Sequence, residues 1–295
     1  MKQGLPWPHF LLALAVVTVW GTNFVVIKEA LDQFPPLLFG ALRFAFVLLP
    51  AVFFVKRPAV PWWHLAAYGA LIGVGQFGLL YVALNGQIAP GLASVVMQSQ
   101  VFFTILLSVW IERERVQNLQ WASLAFAALG IGIIAWHTDR TTTLLGLGMS
   151  LVAALCWAGG NLVARHSGRV NMLSYVIWAS LFSAPPLLVL SLVFEGPQAV
   201  TDALMHADAY GWAGVLWQSV GNTMFGYACW GWLLARHPAA TIAPMALLVP
   251  VSGLATAIWW LGEPLPLWKI AATLFIVGGV ALNMLWPKVT AKPAG

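Results

Sequence analysis

Apolar runs of membrane-crossing length recur along the chain, cut apart by short clusters of charge, proline, glycine and amide. A bilayer span needs about 20 mostly apolar residues. Ten runs meet that need, at roughly 8–28, 36–55, 62–84, 90–111, 118–137, 144–164, 172–194, 210–234, 239–261 and 266–286. Lys56-Arg57-Pro58 separates spans two and three, and from there to Ile111 no residue carries a formal charge. That stretch holds two spans, and Asn85-Gly86-Gln87 followed by Pro90-Gly91 supplies the turn chemistry between them. Glu112-Arg113-Glu114-Arg115 ends span four, and 195–209, with Glu195, Asp202 and Asp208, is the longest loop. The pattern predicts an all-α integral membrane protein of ten transmembrane helices with short connections and no attached soluble domain. The first span lacks a small-residue cleavage site and is expected to be retained.

Composition agrees and narrows the classes. Charged residues make up 8% of the 295 and hydrophobic residues 61%, with a mean hydropathy of +0.85. Soluble domains carry about 25% charge, and so few charges cannot cover a soluble surface. A cytosolic enzyme, a nucleic-acid binder and a disordered chain are excluded; the surroundings are the lipid bilayer. The net charge of +5 reports orientation rather than an acidic partner. With the N-terminus inside, the cytoplasmic side holds Lys2, Lys56, Arg57, Arg113, Arg115, Arg165, Arg169, Arg236, Lys288 and Lys292. The far side holds Lys28, Arg140 and Lys269, and Arg43 lies within span two. Acids show the reverse bias, with Glu112 and Glu114 alone facing in. Both termini are therefore expected in the cytoplasm. Cys156 and Cys229 fall inside apolar segments, which argues for small apolar side chains and against a disulfide framework. The six histidines are scattered, none at metal-ligand spacing to a second ligand, and no motif points to a cofactor.

The two halves, 1–140 and 141–295, look alike. Trp20-Gly21-Thr22-Asn23 leads to Lys28, and Trp157-Ala158-Gly159-Gly160-Asn161 leads to Arg165, with a Trp-to-base spacing of eight in both. Glu114, Ala122, Phe126 and Gly130 match Glu263, Ala271, Phe275 and Gly279 at a constant offset of 149. Five spans per half is an odd number, so the second half sits upside down relative to the first. Two inverted five-helix repeats are a secondary-transporter architecture, with the site near the midplane where the repeats meet.

Several stretches resemble the EamA-type branch of the drug/metabolite transporter superfamily. They are Trp20-Gly21-Thr22-Asn23-Phe24-Val25-Val26-Ile27-Lys28, Pro35-Pro36, Leu42-Arg43-Phe44, Gly91-Leu92-Ala93-Ser94, Gln98-Ser99-Gln100, Phe102-Phe103-Thr104, Ser174 to Ser180 around Ile177-Trp178, Ile242-Ala243-Pro244 and Leu247-Leu248-Val249-Pro250-Val251. Within that branch the chain is similar to the subfamily that exports O-acetylserine and cysteine. The resemblance implies ten helices around a central cavity, with the last helix of each half peripheral. It also implies export of small amino-acid metabolites across a bacterial inner membrane. Peripheral fifth and tenth helices leave a homodimer open. One departure is Arg113, which stands where the usual pattern has glycine before the Glu-Arg pair.

Mid-span polar groups are the candidate chemistry, because an amide in hydrocarbon is costly unless it meets another polar group. Trp20, Asn23, Trp157 and Asn161 occupy related places in the two halves. The asparagines either bind the substrate's ammonium or carboxylate or join helices by hydrogen bonds; the indoles would wall the cavity. Gln76, Gln98 and Gln100 form a second group. Gln98 and Gln100 point to different faces, and Gln76 stands in a glycine row (Gly69, Gly73, Gly75, Gly78) that permits close helix approach. Trp178 joins the substrate-binding candidates, with Asn222, Thr223 and Tyr227 of span eight as weaker ones; Ser252 and Thr256 are expected to bond their own helix backbone. Arg43 either forks a substrate carboxylate, snorkels to head groups or pairs with Glu29 or Asp32; Lys28 has the same choices. Pro50, Pro185-Pro186, Pro244 and Pro250 interrupt helices. No Asp, Glu or His occupies a midplane position, so export is expected to run down a gradient or to couple through an unusual group.

Overall fold

A computed structural model of the chain describes residues 5–113, 118–139, 141–168 and 170–290. Ten helical spans alternate in direction. In the first half they are Trp7–Ala30, Pro36–Phe53, Trp62–Leu84, Pro90–Ile111 and Asn118–Trp136. In the second half they are Leu144–His166, Met172–Phe194, 209–236, Ala243–Leu261 and Leu267–Thr290. Alternation places Lys56, His166 and Arg236 at one end of the bundle and Asp32, Glu195 and Glu263 at the other. Among the described residues nine of these helices are long and apolar enough to cross a membrane. Span eight is the tenth helix and the most polar, since Gln218, Ser219, Asn222 and Thr223 lie at its centre. A short helix, Pro197–His206, fills the longest loop. Of the charges counted toward orientation, Lys2, Arg115, Arg140, Arg169 and Lys292 lie outside the described residues, as does Glu114 of the repeat correspondence.

Local winding repeats between the halves. Spans three and eight both open into wide, i+5-type turns at their centres, over Gly69–Gly78 and Trp217–Phe225; such turns often mark functional sites. Spans four and nine both tighten, over Met97–Ser99 and Ala243–Leu247. Pro244 explains the second of these, because its ring denies the backbone a donor. Spans five and ten lie along one another and meet through repeat-related residues. Phe126 and Phe275 touch edge to face at 5.6 Å, and Gly130 and Gly279 let the partner helix approach against Ile276 and Phe126.

Span four ends on Arg113 at φ 56, and span nine ends on Gly262 at φ 65. These positions are 149 residues apart, the same offset as the phenylalanines. The departure from glycine thus leaves the left-handed helix end intact and makes an arginine adopt it, at a cost of about 1–2 kcal/mol. Arg113→Gly is expected to stabilise the protein by roughly 1 kcal/mol, read as a higher unfolding temperature in detergent. A lower one would contradict this account.

The end that carries Glu195 is laced by polar ties. Glu195 accepts from the backbone N–H groups of Leu37 (2.7 Å) and Leu38 (3.1 Å) and so caps span two. Thr143 donates to the carbonyl and side-chain oxygens of Gln87 at 3.2 and 2.9 Å. Gln33 donates to Asp208 Oδ1 at 2.9 Å and accepts from Asp208 N at 3.0 Å. Hydrogen bonds from Gly211 N first, then from Gln33, hold the Asp208 carboxyl below its usual range. That contribution is present above the ordinary aspartate value and fades as pH falls through the lowered one.

Candidate functional site

Spans one, two, three and eight converge on one buried polar network. Its hub is Gln218, in the first part of the wide turn of span eight, with no exposed surface. Gln218 Nε2 donates to Asn23 Oδ1 at 2.7 Å, and Gln218 Oε1 accepts from Tyr81 at 3.2 Å and from Asn222 Nδ2 at 3.5 Å. Tyr81 accepts from Arg43 Nη1 at 2.7 Å. Thr223 accepts from Arg43 Nη2 at 2.9 Å and from Nε at 3.3 Å. Thr223 donates to the Gln218 carbonyl at 2.8 Å, an i+5 bond that only the widened turn permits. The result is a closed ring through Gln218, Tyr81, Arg43 and Thr223, with Asn23 attached. Ser219 fastens it to span two by donating to the Arg43 carbonyl at 3.0 Å.

Trp20 lies beside the ring. Its Nε1 donates to the Asn222 carbonyl at 3.1 Å, and its rings face Trp230 and Tyr227 at 5.2 and 6.2 Å. Gly226 is required here, because a Cβ at that place would overlap Trp20 Nε1. Within this network Asn23 uses only its Oδ1 and Asn222 only its Nδ2, which leaves Asn23 Nδ2, a donor, and Asn222 Oδ1, an acceptor, outside the ring's bonds.

A second pair joins the halves elsewhere. Asn161 Nδ2 donates to Gln100 Oε1 at 3.1 Å, linking spans six and four, and Asn161 is exposed. Gln98 is buried and bonds to neither group, in keeping with the two faces of that helix. Gln76 is buried with its Oε1 unpartnered, and the glycine row packs as expected: Gly73 meets Ser183, and Gly75 meets Cys156. Trp157 is half-buried against the core. Trp178 Nε1 donates to the Val55 carbonyl at 3.0 Å beside Trp62, at the Lys56 end, apart from the ring. Ser252 and Thr256 bond their own helix carbonyls. Cys156 and Cys229 are both free.

The structure narrows the alternatives left open for the cations. Lys28 pairs with Asp32 at 2.9 Å. Arg43 neither snorkels nor meets Glu29 or Asp32; it is 1% exposed and held by hydroxyls. The residues that pattern reading missed are Gln218 and Tyr81. The available signal was the polar spacing Gln218-Ser219 to Asn222-Thr223 inside an otherwise apolar span.

The profile of the EamA-like transporter family matches residues 7–136 and again 144–285. A probable amino-acid metabolite efflux pump of Salmonella typhimurium is 40% identical over 292 residues, covering 96% of this chain and 98% of that protein. Its counterpart in Escherichia coli is 39% identical over 279 residues, covering 92% and 93%. A probable terminal-alkyne amino-acid exporter of Streptantibioticus cattleyicolor is 27% identical over 283 residues, covering 92% of each. One crystal structure superposes with a TM-score of 0.63 at 16% identity, over 97% of this chain and 99% of that one, which speaks to fold alone. A duplicated family profile, an interior polar network and ten alternating spans converge: the chain is a member of the EamA-like transporter family, a membrane transporter and not an enzyme.

Proposed function

We propose that the chain exports small amino-acid metabolites, cysteine and O-acetylserine foremost, across a bacterial inner membrane, with both termini cytoplasmic. The two halves would rock about the Gln218 ring to expose it alternately. The observation that carries this is the pair of unused amide atoms beside the ring, Asn23 Nδ2 and Asn222 Oδ1. One donor and one acceptor suit an amino acid, whose carboxylate accepts and whose ammonium donates. The bacterial efflux pumps at 40% and 39% identity support the same class of cargo. Ten cytoplasmic Lys and Arg against three opposite support the orientation.

Efflux of labelled O-acetylserine from preloaded proteoliposomes tests the proposal, with a competition series across unlabelled amino acids. Cysteine and serine derivatives are expected to compete, and phenylalanine and tryptophan to fail. Preferential competition by aromatic amino acids or drugs would establish the alternative cargo instead, and no flux with any compound would favour a non-transporting scaffold. An imposed proton gradient is expected not to drive accumulation; clear proton-driven accumulation would count against a site without carboxylates.

A further inference from the structure

Two fully buried cations stand among the described residues, Arg43 within span two and Lys269 at the start of span ten, and the chain treats them differently. Lys269, 1% exposed, has the Glu263 carboxylate at 2.9 Å. Arg43, equally buried, meets no carboxylate among the described residues; its partners are the neutral oxygens of Thr223 and Tyr81. Three hydrogen bonds engage three of the five N–H donors a guanidinium carries. The remaining compensation is aromatic: the guanidinium carbon lies 3.6 Å from the centroid of Phe77 and 5.1 Å from that of Phe44. Cation–π contact strengthens when desolvated, but it brings no counter-charge to the buried ion. Two of its N–H donors and its net charge are therefore left without a partner among the described residues. Against Arg43 lies a small cavity of about 10 Å³, shared with the hydroxyl-bearing Thr223, Tyr68 and Tyr227. A space of that size takes one water-sized body.

We propose that Arg43 and this cavity form a binding site for one small monovalent anion, completed by the phenols of Tyr68 and Tyr227. The chemistry is that of a carboxylate oxygen or a halide against a guanidinium fork. Two sources share it: the carboxylate of the amino-acid cargo, which rests on the transport reading above, and free chloride, which does not.

Thermal unfolding of the purified, detergent-solubilised protein at constant ionic strength is the test, with sodium formate, chloride or gluconate as probes. Formate or chloride is expected to raise the unfolding temperature saturably, and bulky gluconate to fail. Arg43→Gln is expected to abolish the shift. Tyr227→Phe, which keeps the cavity wall, is expected to weaken it roughly tenfold in apparent affinity, so the proposal is tested even if Arg43→Gln does not fold. Competition between formate and O-acetylserine, but not the O-acetylserine carboxamide, identifies the cargo carboxylate as the ligand. A chloride shift without that competition identifies free chloride. Equal behaviour of all three salts, or an unchanged shift in a folded Arg43→Gln protein, overturns the proposal. Since the shift requires no transport, an intact shift with absent efflux would overturn the transport reading alone.

Discussion

Gln218→Met is expected to abolish transport while leaving the protein folded. Methionine keeps the length of the side chain but removes every polar atom at the hub. Asn23 Oδ1 then loses its donor, and Tyr81 and Asn222 lose their acceptor. Interhelical hydrogen bonds in membranes contribute about 0.6 kcal/mol on average and up to about 1.7 kcal/mol, so stability should fall by only about 1–3 kcal/mol in total. The bond from the Thr223 hydroxyl to the Gln218 carbonyl survives, and with it the wide turn. The functional loss should be far larger, since Asn23 and Asn222 are no longer held at a fixed separation. Efflux at a level indistinguishable from empty liposomes, with an unfolding temperature within a few degrees of wild type, is the expected result; wild-type efflux would remove Gln218 from the site.

Lys269→Met should produce the largest loss of stability. Lys269 Nζ lies 2.9 Å from Glu263 Oε1 and 3.2 Å from the Pro264 carbonyl, and both charged side chains are buried, at 1% and 7% exposure. Glu263 Oε2 also accepts from Gly91 N at 2.9 Å, so the pair ties the start of span four to the start of span ten. Removing one partner of a buried pair costs about 3–5 kcal/mol because the other charge is left uncompensated. Lys269→Met is therefore expected to unfold at a much lower temperature, and Lys269→Met with Glu263→Gln to recover most of the difference. Equal destabilisation by the single and double changes would contradict an uncompensated-charge origin.

What could be read from the chain and what could not divide along a physical line. Spans follow from local apolarity, so the breaks at Lys56-Arg57-Pro58 and at Asn85–Pro90, where Gly86 takes φ 84, were legible. So was the 149-residue correspondence, which the structure realises as a contact between Phe126 and Phe275 and as matching left-handed ends at Arg113 and Gly262. Asn23 stood out as an amide in an apolar run. Its partner did not, because Gln218 lies 195 residues away and its neighbours follow the i+5 spacing of a widened turn, for which helical periodicity has no template. Arg43 had three open fates because burial is a tertiary property; only the approach of spans three and eight, through Tyr81 and Thr223, excludes water from it. Lys269 counted as an ordinary loop charge for the same reason.

On the proposed mechanism, amide groups from both halves handle the cargo inside the membrane. Efflux of O-acetylserine from proteoliposomes containing the Asn23→Ala, Asn222→Ala double variant, reconstituted at the wild-type level, is the decisive measurement. The two-half site predicts flux no faster than from empty liposomes; flux at the wild-type rate would contradict it.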